Sequence, residues 1–223
     1  MFQIIVLLLW LTTAESVAKY PLAKPGCRER CGNISIPYPF GIGSDCSIAD
    51  GFAVTCNHSC NPPKPFINSI NLEVLKISVV NESTVQVNNP VITQNCSGRA
   101  DGKDVDFFSS PFTFSDKDNR FTASGCNNLA LVVHGSDIRT GCMSICNTYL
   151  RPSLSKTGCY GINCCQTRIP RGLRFINASQ GSVNQNNNKA VCKYAFMVDY
   201  RWFSNEDILK VRDMEYVPAV LDW

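Results

Sequence analysis

Apolar residues in this chain come mostly in short β-branched runs cut by polar turns, the pattern of strands and not of amphipathic helices. The clearest case is Leu72–Val80 followed by Thr84–Val87, LEVLKISVV and TVQV around an Asn-Glu-Ser turn, which predicts a β-hairpin. Gly51–Thr55, Phe112–Phe114, Arg120–Ala123, Leu129–Val133 and Tyr194–Tyr200 are further strand candidates, each bounded by Gly, Pro, Asn, Asp or Ser. One short helix is predicted after Trp202. There Ser204 would cap the first turn, Glu206 and Asp207 would favour its positive end, and Ile208, Leu209 and Val211 would supply an apolar side. The stretch Gly181–Lys189, GSVNQNNNK, is polar throughout and reads as a mobile loop. No internal repeat is apparent. The pattern predicts a mainly β architecture of short strands and long loops with a short C-terminal helix.

The exception is the start. MFQIIVLLLWLTTAESVA carries a continuous apolar stretch from Phe2 to Leu11 and small residues at Ser16 and Ala18, which reads as a signal peptide over residues 1–18. Cleavage after Ala14 is the alternative, and the stretch is well short of the roughly 20 residues that span a bilayer. The mature chain of about 205 residues is long enough for one large or two small domains with a real core. No second apolar stretch reaches membrane-spanning length, so no membrane span is expected in the mature protein.

Export changes how the 13 cysteines are read. In an oxidising compartment Cys27, Cys31, Cys46, Cys56, Cys96, Cys126, Cys142, Cys146, Cys159, Cys164, Cys165 and Cys192 should pair as disulfides, with one of the 13 left over. Connectivity does not follow from spacing, although each sulfur of the vicinal Cys164–Cys165 pair is expected to bond elsewhere. Zinc would need Cys/His sets at ligand spacing, and only His58 and His134 are available, so no metal site is expected. Five Asn-x-Ser sequons, at Asn33, Asn57, Asn81, Asn95 and Asn177, suit the same compartment and mark surface positions.

Charge narrows the partners. Removing the leader deletes only Glu15 among charged residues, leaving 21 basic and 17 acidic groups, a net charge of +4. So mild a balance gives no reason to expect nucleic acid, while Lys and Arg gathered on one face would suit an anionic partner. Catalysis has little to work with. Asp101, Asp104 and Asp106 crowd together as the carboxylates of a glycosidase might be expected to, but DGKDVD also suits a solvated turn and lacks the calcium-loop pattern. Cys60 and His58 are two residues apart with no orienting third group, so a thiol enzyme is not expected, and no cofactor is implied.

The motifs become specific from Cys27 onward. Cys27-x-x-x-Cys31-Gly32 followed by NISIPYPFGIG (Asn33–Gly43) resembles the opening signature of the galacturonan-binding extracellular domain of plant wall-associated receptor kinases. GFAVTC (Gly51–Cys56), NPPKPF (Asn61–Phe66), EVLKISV (Glu73–Val79), NRFTASGCN (Asn119–Asn127), GCMSIC (Gly141–Cys146), CYGINCCQTRIPRG (Cys159–Gly172) and YAFMV (Tyr194–Val198) resemble the same family in order, as does the terminal VPAVLDW. The resemblance implies a disulfide-rich extracellular binding domain over residues 27–200, with 201–223 as a C-terminal segment. Family members continue into EGF-like modules, a membrane helix and a kinase. The present sequence contains no Gly-rich nucleotide loop, HRD or DFG. Cys60 departs from the family pattern and is the expected odd thiol.

The resemblance also implies a ligand, de-esterified pectin or its oligogalacturonide fragments, in the plant cell wall. Such a polyanion needs cations for its carboxylates and flat apolar faces for its sugar rings. Arg168, Arg171 and Arg174 recur every third residue in RIPRGLR, and in an extended segment they could follow a linear chain, although solvated loop arginines look the same. Lys24, Arg28 and Arg30 form a second cluster close in sequence to Tyr38 and Phe40, the candidate stacking rings. The expected protein is a secreted, non-catalytic pectin binder, acting as a receptor ectodomain or as a decoy. A secreted disulfide-rich defence or inhibitor protein with a protein target is the alternative.

Overall fold

A computed structural model describes residues 22–80, 82–98, 104–146, 159–182, 192–204 and 208–223. The leader and Asn81 lie outside these residues. A two-residue ladder, β1 (Arg30–Cys31) with β2 (Ile34–Ser35), opens the structure. Next come β3 (Gly41–Ile42), β4 (Ala53–Asn57), β5 (Lys64–Ile67), β6 (Leu72–Ser78) and β7 (Thr84–Pro90). The predicted hairpin is β6–β7, with Ser78 opposite Thr84 and Ile77 opposite Val85. On β7 Val85, Val87 and Asn89 are buried and alternate with half-buried residues, as a strand covered on one face requires.

Short strands β8 (Ile92–Gln94), β9 (Val105–Asp106) and β10 (Thr113–Phe114) lead to the longer β11 (Asn119–Ser124), β12 (Asn128–His134) and β13 (Asp137–Ser144). The remainder is β14 (Cys164–Thr167), β15 (Phe175–Ile176), β16 (Ala178–Ser182), β17 (Lys193–Asp199), two helices α1 (Tyr200–Phe203) and α2 (Ile208–Arg212), and β18 (Tyr216–Asp222). Three larger sheets result, in the orders β10-β18-β7-β6-β5-β4-β3, β14-β11-β17-β8 and β13-β12-β16. The fold is mainly β and disulfide-rich, as the pattern predicts.

The C-terminal strand β18 is internal to the largest sheet, between β10 and β7, so residues 201–223 complete the sheet begun by residues 41–90. Pro218 is tolerated there because β10 pairs only with Leu221 and Asp222, leaving the far edge of Pro218 without a ladder partner to supply. The main core draws on Cys31, Phe40, Val54, Val87, Phe121, Ile176, Met197 and Leu221 alike. YAFMV is apolar at every position because β17 is buried on both faces: Ala195 and Met197 face the main core, Phe196 and Val198 a smaller one with Phe203, Ile208 and Val211.

Two local expectations change. The helical turn begins at Tyr200, before Trp202, because Asp199 accepts a hydrogen bond from the Arg201 amide (2.9 Å) and so caps α1, while Ser204 closes the turn by donating its amide to the Tyr200 carbonyl (2.9 Å). α2 does bury Ile208 and Val211 as expected; Glu206 and Asp207 lie outside the described residues. Gly181 and Ser182, expected in the polar loop, pair with Leu129 and Asn128 as the end of β16, and 183–190 lie outside the described residues.

Six disulfides close: Cys27–Cys46, Cys31–Cys56, Cys96–Cys192, Cys126–Cys146, Cys142–Cys165 and Cys159–Cys164. The vicinal cysteines bond separately, and Cys60 is the free one. Titration of the unreduced monomer with a thiol-reactive chromophore is expected to return one sulfhydryl, or one capped by a small thiol, mapping to Cys60. A label recovered on any of the other twelve would overturn the connectivity.

Candidate functional site

The opening motif forms a covalently pinned corner. Cys27–Cys46 and Cys31–Cys56 tie it to the β3–β4 region, and Gly41 packs so closely that a Cβ there would collide with the backbone of Cys46. Three exposed cations surround it. Arg30 donates to Ser35 Oγ (2.9 Å) and the Asn33 carbonyl (2.7 Å), Arg28 Nη1 lies 3.5 Å from His58 Nε2, and Lys24 Nζ donates to the Asp45 carbonyl (2.6 Å). The carbonyl and hydroxyl partners of Lys24 and Arg30 are uncharged, so those two side chains are positioned while their charge remains uncompensated by them.

Tyr38 and Phe40 part company here. Tyr38 is 45% exposed, its backbone held by the Leu22 carbonyl (2.8 Å), and it offers a ring face to solvent. Phe40 is completely buried, packed edge-on against Phe52 (5.3 Å between centroids) and Trp223 (5.0 Å) and parallel to Phe112 (6.0 Å). It is a core residue and cannot meet a sugar; the expectation of two stacking rings is corrected to one.

The RIPRGLR segment leaves β14 as a strap that turns at Arg171–Gly172, so it is not the fully extended segment the three-residue spacing suggests. Ile169 and Leu173 are buried and anchor it, and the Leu173 carbonyl accepts from the Phe114 amide (2.8 Å). Arg168, just before the first anchor, and Arg171, between the two, are exposed, while the Arg168 carbonyl accepts from Thr140 Oγ1 (3.0 Å). Arg174 is half-buried and donates to the Ser110 carbonyl (3.0 Å). Among the described residues no hydrogen bond or ion pair holds the Arg168 and Arg171 guanidinium groups, while that of Arg174 turns toward the protein. Among the described residues no hydrogen bond or ion pair joins this strap to the Lys24–Arg28–Arg30 corner.

Two adjoining cavities, of about 260 and 240 Å³, lie elsewhere. They share Glu82, Thr84 and Asp118; the first reaches Asp222 and Trp223, the second Lys76, Asp199 and Arg201. Asp118 is buried and pairs with Arg201 (2.9 Å), and Asp199 accepts from Gln86 (2.9 Å). Burial, and then the nearby carboxylates of Asp118 and Asp116, raise the pKa of Asp222 against a lowering hydrogen bond from Ser115. Residues from β6, β7, β18, α1 and the 115–118 turn meet here, a convergence that no local motif signals.

The sequons also separate. Asn33, Asn95 and Asn177 are exposed, Asn57 is half-buried with its Oδ1 accepting from the Ser59 amide (2.9 Å), and Asn81 is outside the described residues. Among the described residues no helix is long and apolar enough to cross a membrane, and no group of three His, Cys, Asp or Glu could hold a metal ion.

Residues 27–89 match the family model for the wall-associated receptor kinase galacturonan-binding domain, and residues 156–223 match that for the wall-associated kinase. The chain belongs to the wall-associated kinase family. It is 32% identical over 213 residues to wall-associated receptor kinase 2 of Arabidopsis thaliana, covering 88% of this chain and 27% of that protein. It is 33% identical over 193 residues to wall-associated receptor kinase-like 1 of the same plant, covering 79% and 26%. The chain thus spans about a quarter of the length of these relatives. No solved structure matches. The galacturonan-binding match contains Arg28, Arg30, Tyr38 and Phe40, begins three residues after Lys24, and ends long before Arg168. Of the two basic clusters, the corner of the opening motif is the one inside the module named for the ligand.

Proposed function

We propose that this wall-associated kinase-type module binds de-esterified pectin and its oligogalacturonide fragments, without catalysis, at the corner formed by Lys24, Arg28, Arg30 and Tyr38. The supporting observation is the coincidence of the galacturonan-binding match with three exposed cations and an exposed ring on one disulfide-pinned corner. Guanidinium groups pair with carboxylates while the Tyr38 face packs on the C–H face of a sugar. Arg168 and Arg171 form a second basic strap that a long polymer reaches, with Arg174 supporting it from behind. Residues 27–200, with Lys24 just ahead of them, carry the binding surface, and 201–223 complete the largest sheet. The protein acts in the plant cell wall, as a receptor ectodomain or as a decoy that competes with full-length receptors for the same fragments.

Affinity for de-esterified polymer is expected to fall with added salt, since exposed ion pairs are screened over roughly 8–10 Å near physiological ionic strength. Methyl esterification, which removes the anion and keeps the ring, is expected to weaken binding as well. Each exposed contact contributes only about 0.2–1 kcal/mol, so single replacements change little. The triple replacement Lys24→Gln, Arg28→Gln, Arg30→Gln should remove most of the salt-sensitive binding, and Arg168→Gln, Arg171→Gln, Arg174→Gln a smaller share. Equal binding to both forms of the polymer would sink the electrostatic reading, and a protein that ignores pectin altogether would favour a protein target.

A further inference from the structure

Beside the Asn177 sequon the structure assembles an aromatic platform that the pectin reading does not use. The rings of Phe108, His134 and Phe175 lie mutually close, with centroids 5.7 Å apart for Phe108–Phe175, 4.7 Å for His134–Phe175 and 5.5 Å for Phe108–His134; the first pair is stacked at 17°. Phe175 pairs across the ladder with exposed Asp106, while its neighbour Ile176 pairs with buried Val105, so Phe175 belongs to the outer face of its strand. It is only 9% exposed, joining the main core while Phe108 and His134 pack against its ring, and Phe108 in turn is 53% exposed with His134 exposed at its side. Phe108 and His134, resting on buried Phe175, thus present an aromatic surface to water.

Asn177 is the single residue between β15 and β16, and since Ile176 and Gln180 are buried while Asn177 and Ser179 are exposed, the alternation carries across and places Asn177 on the outer side with Phe175. The Asn177 carbonyl accepts from the Val133 amide (3.0 Å), which places it opposite Val133, the residue before His134, and among the described residues no hydrogen bond holds its side-chain amide. The sequon Asn177-Ala178-Ser179 is intact, with Ser179 also exposed. Of the four described sequons, this is the one placed against an exposed ring cluster. The charge around the rings decides which sugar suits them. Asp106 binds the Phe108 amide through Oδ1 (2.8 Å), and Asp104 is exposed two residues before it. Carboxylates at that edge repel galacturonate and tolerate a neutral N-acetylhexosamine.

We propose that Asn177 is N-glycosylated and that the first sugars of its glycan pack on the Phe108–His134–Phe175 platform, completing this face of the fold. The C–H face of the pyranose covers the exposed rings while its hydroxyl groups remain in water. The proposal stands independently of pectin binding.

The test uses the full chain secreted from a plant or insect host. Mass spectrometry of the tryptic peptide Phe175–Lys189, which contains this sequon alone, is expected to show Asn177 carrying glycan. Asn177→Gln and Ser179→Ala, two independent ways to abolish the sequon, should each lower the melting temperature by about 2–4 °C, the shift that a modest stabilising contact produces in a domain of this size. Phe108→Ala should cost a similar amount in the glycosylated protein and nothing further in the Asn177→Gln background. Proton NMR should show the first sugar shifted upfield by the rings, and the shift should vanish in Phe108→Ala. An unmodified Asn177, or a Phe108→Ala penalty that is the same with and without the glycan, overturns the proposal. Loss of pectin binding in Phe108→Ala with no coupling to the sequon would overturn it too and assign the platform to the polymer.

Discussion

Full reduction is expected to unfold the mature protein at ordinary temperature. Removing one native bridge from a small secreted domain typically costs about 2–5 kcal/mol, against a total stability of about 5–15 kcal/mol for a folded domain. Six bridges are at stake here, and they are not redundant. Cys96–Cys192 spans 96 positions and joins the sequence just after β8 to the start of β17, strands that pair directly. In the chain-entropy model a loop of that size corresponds to about 4.7 kcal/mol, the largest single contribution of the six. Cys159–Cys164 spans only 5 positions and should contribute least by the same reasoning. The expected order on replacing each pair by alanine is therefore Cys96–Cys192 most destabilising and Cys159–Cys164 least. Near-ultraviolet circular dichroism after equilibration in dithiothreitol measures the full effect, with time allowed because Cys31, Cys164 and Cys165 are buried. A native spectrum retained with all thirteen thiols free would contradict the claim that the bridges hold this fold.

How much of this was legible in the sequence depends on the range over which each feature is encoded. The β6–β7 hairpin was legible because LEVLKISVV and TVQV encode it locally, in β-branched residues around one turn. β13 was not, because Asp137, Ile138 and Arg139 are all exposed on an outer strand and leave no alternation to read. β18 was hidden by Pro218, whose tolerance depends on the shortness of a strand a hundred residues earlier. Cysteine count announced a disulfide framework, and the departure at Cys60 indicated which would be left over, but the pairing itself needed the fold.

The candidate site shows the same division. Exposed arginines at 168 and 171 and a ring at Tyr38 were readable as residue types near one another, whereas the inward turn of Arg174 toward Ser110 was not. The aromatic platform could not have been found locally, since Phe108, His134 and Phe175 come from three separate parts of the chain. One local hint existed: an aromatic residue two positions before a sequon Asn, as in Phe175-Ile176-Asn177, shares its side of an extended segment.

Replacing Phe40 by alanine is expected to produce the largest loss of stability of any single change in the opening motif, and replacing Tyr38 almost none. Both rings belong to the PYPF turn, yet Phe40 is fully enclosed and Tyr38 is 45% exposed. The Phe40 ring touches Phe52 from the turn before β4, Phe112 from the approach to β10, and Trp223 at the far end of the chain, so it joins three segments that no disulfide connects to one another. A buried Phe→Ala change costs about 3–5 kcal/mol because the cavity only partly collapses. At about 2–4 °C per kcal/mol the melting temperature should fall by roughly 6–20 °C. Cys27–Cys46 and Cys31–Cys56 flank the turn and should keep the variant folded well below its midpoint, where its pectin affinity should match that of the unaltered protein. Tyr38→Ala should do the reverse, melting within a degree or two of the unaltered protein while binding polymer more weakly. A Phe40→Ala protein that melts normally but no longer binds pectin would mean that the ring leaves the core to meet its ligand, and the assignment of this corner would have to be redrawn around it.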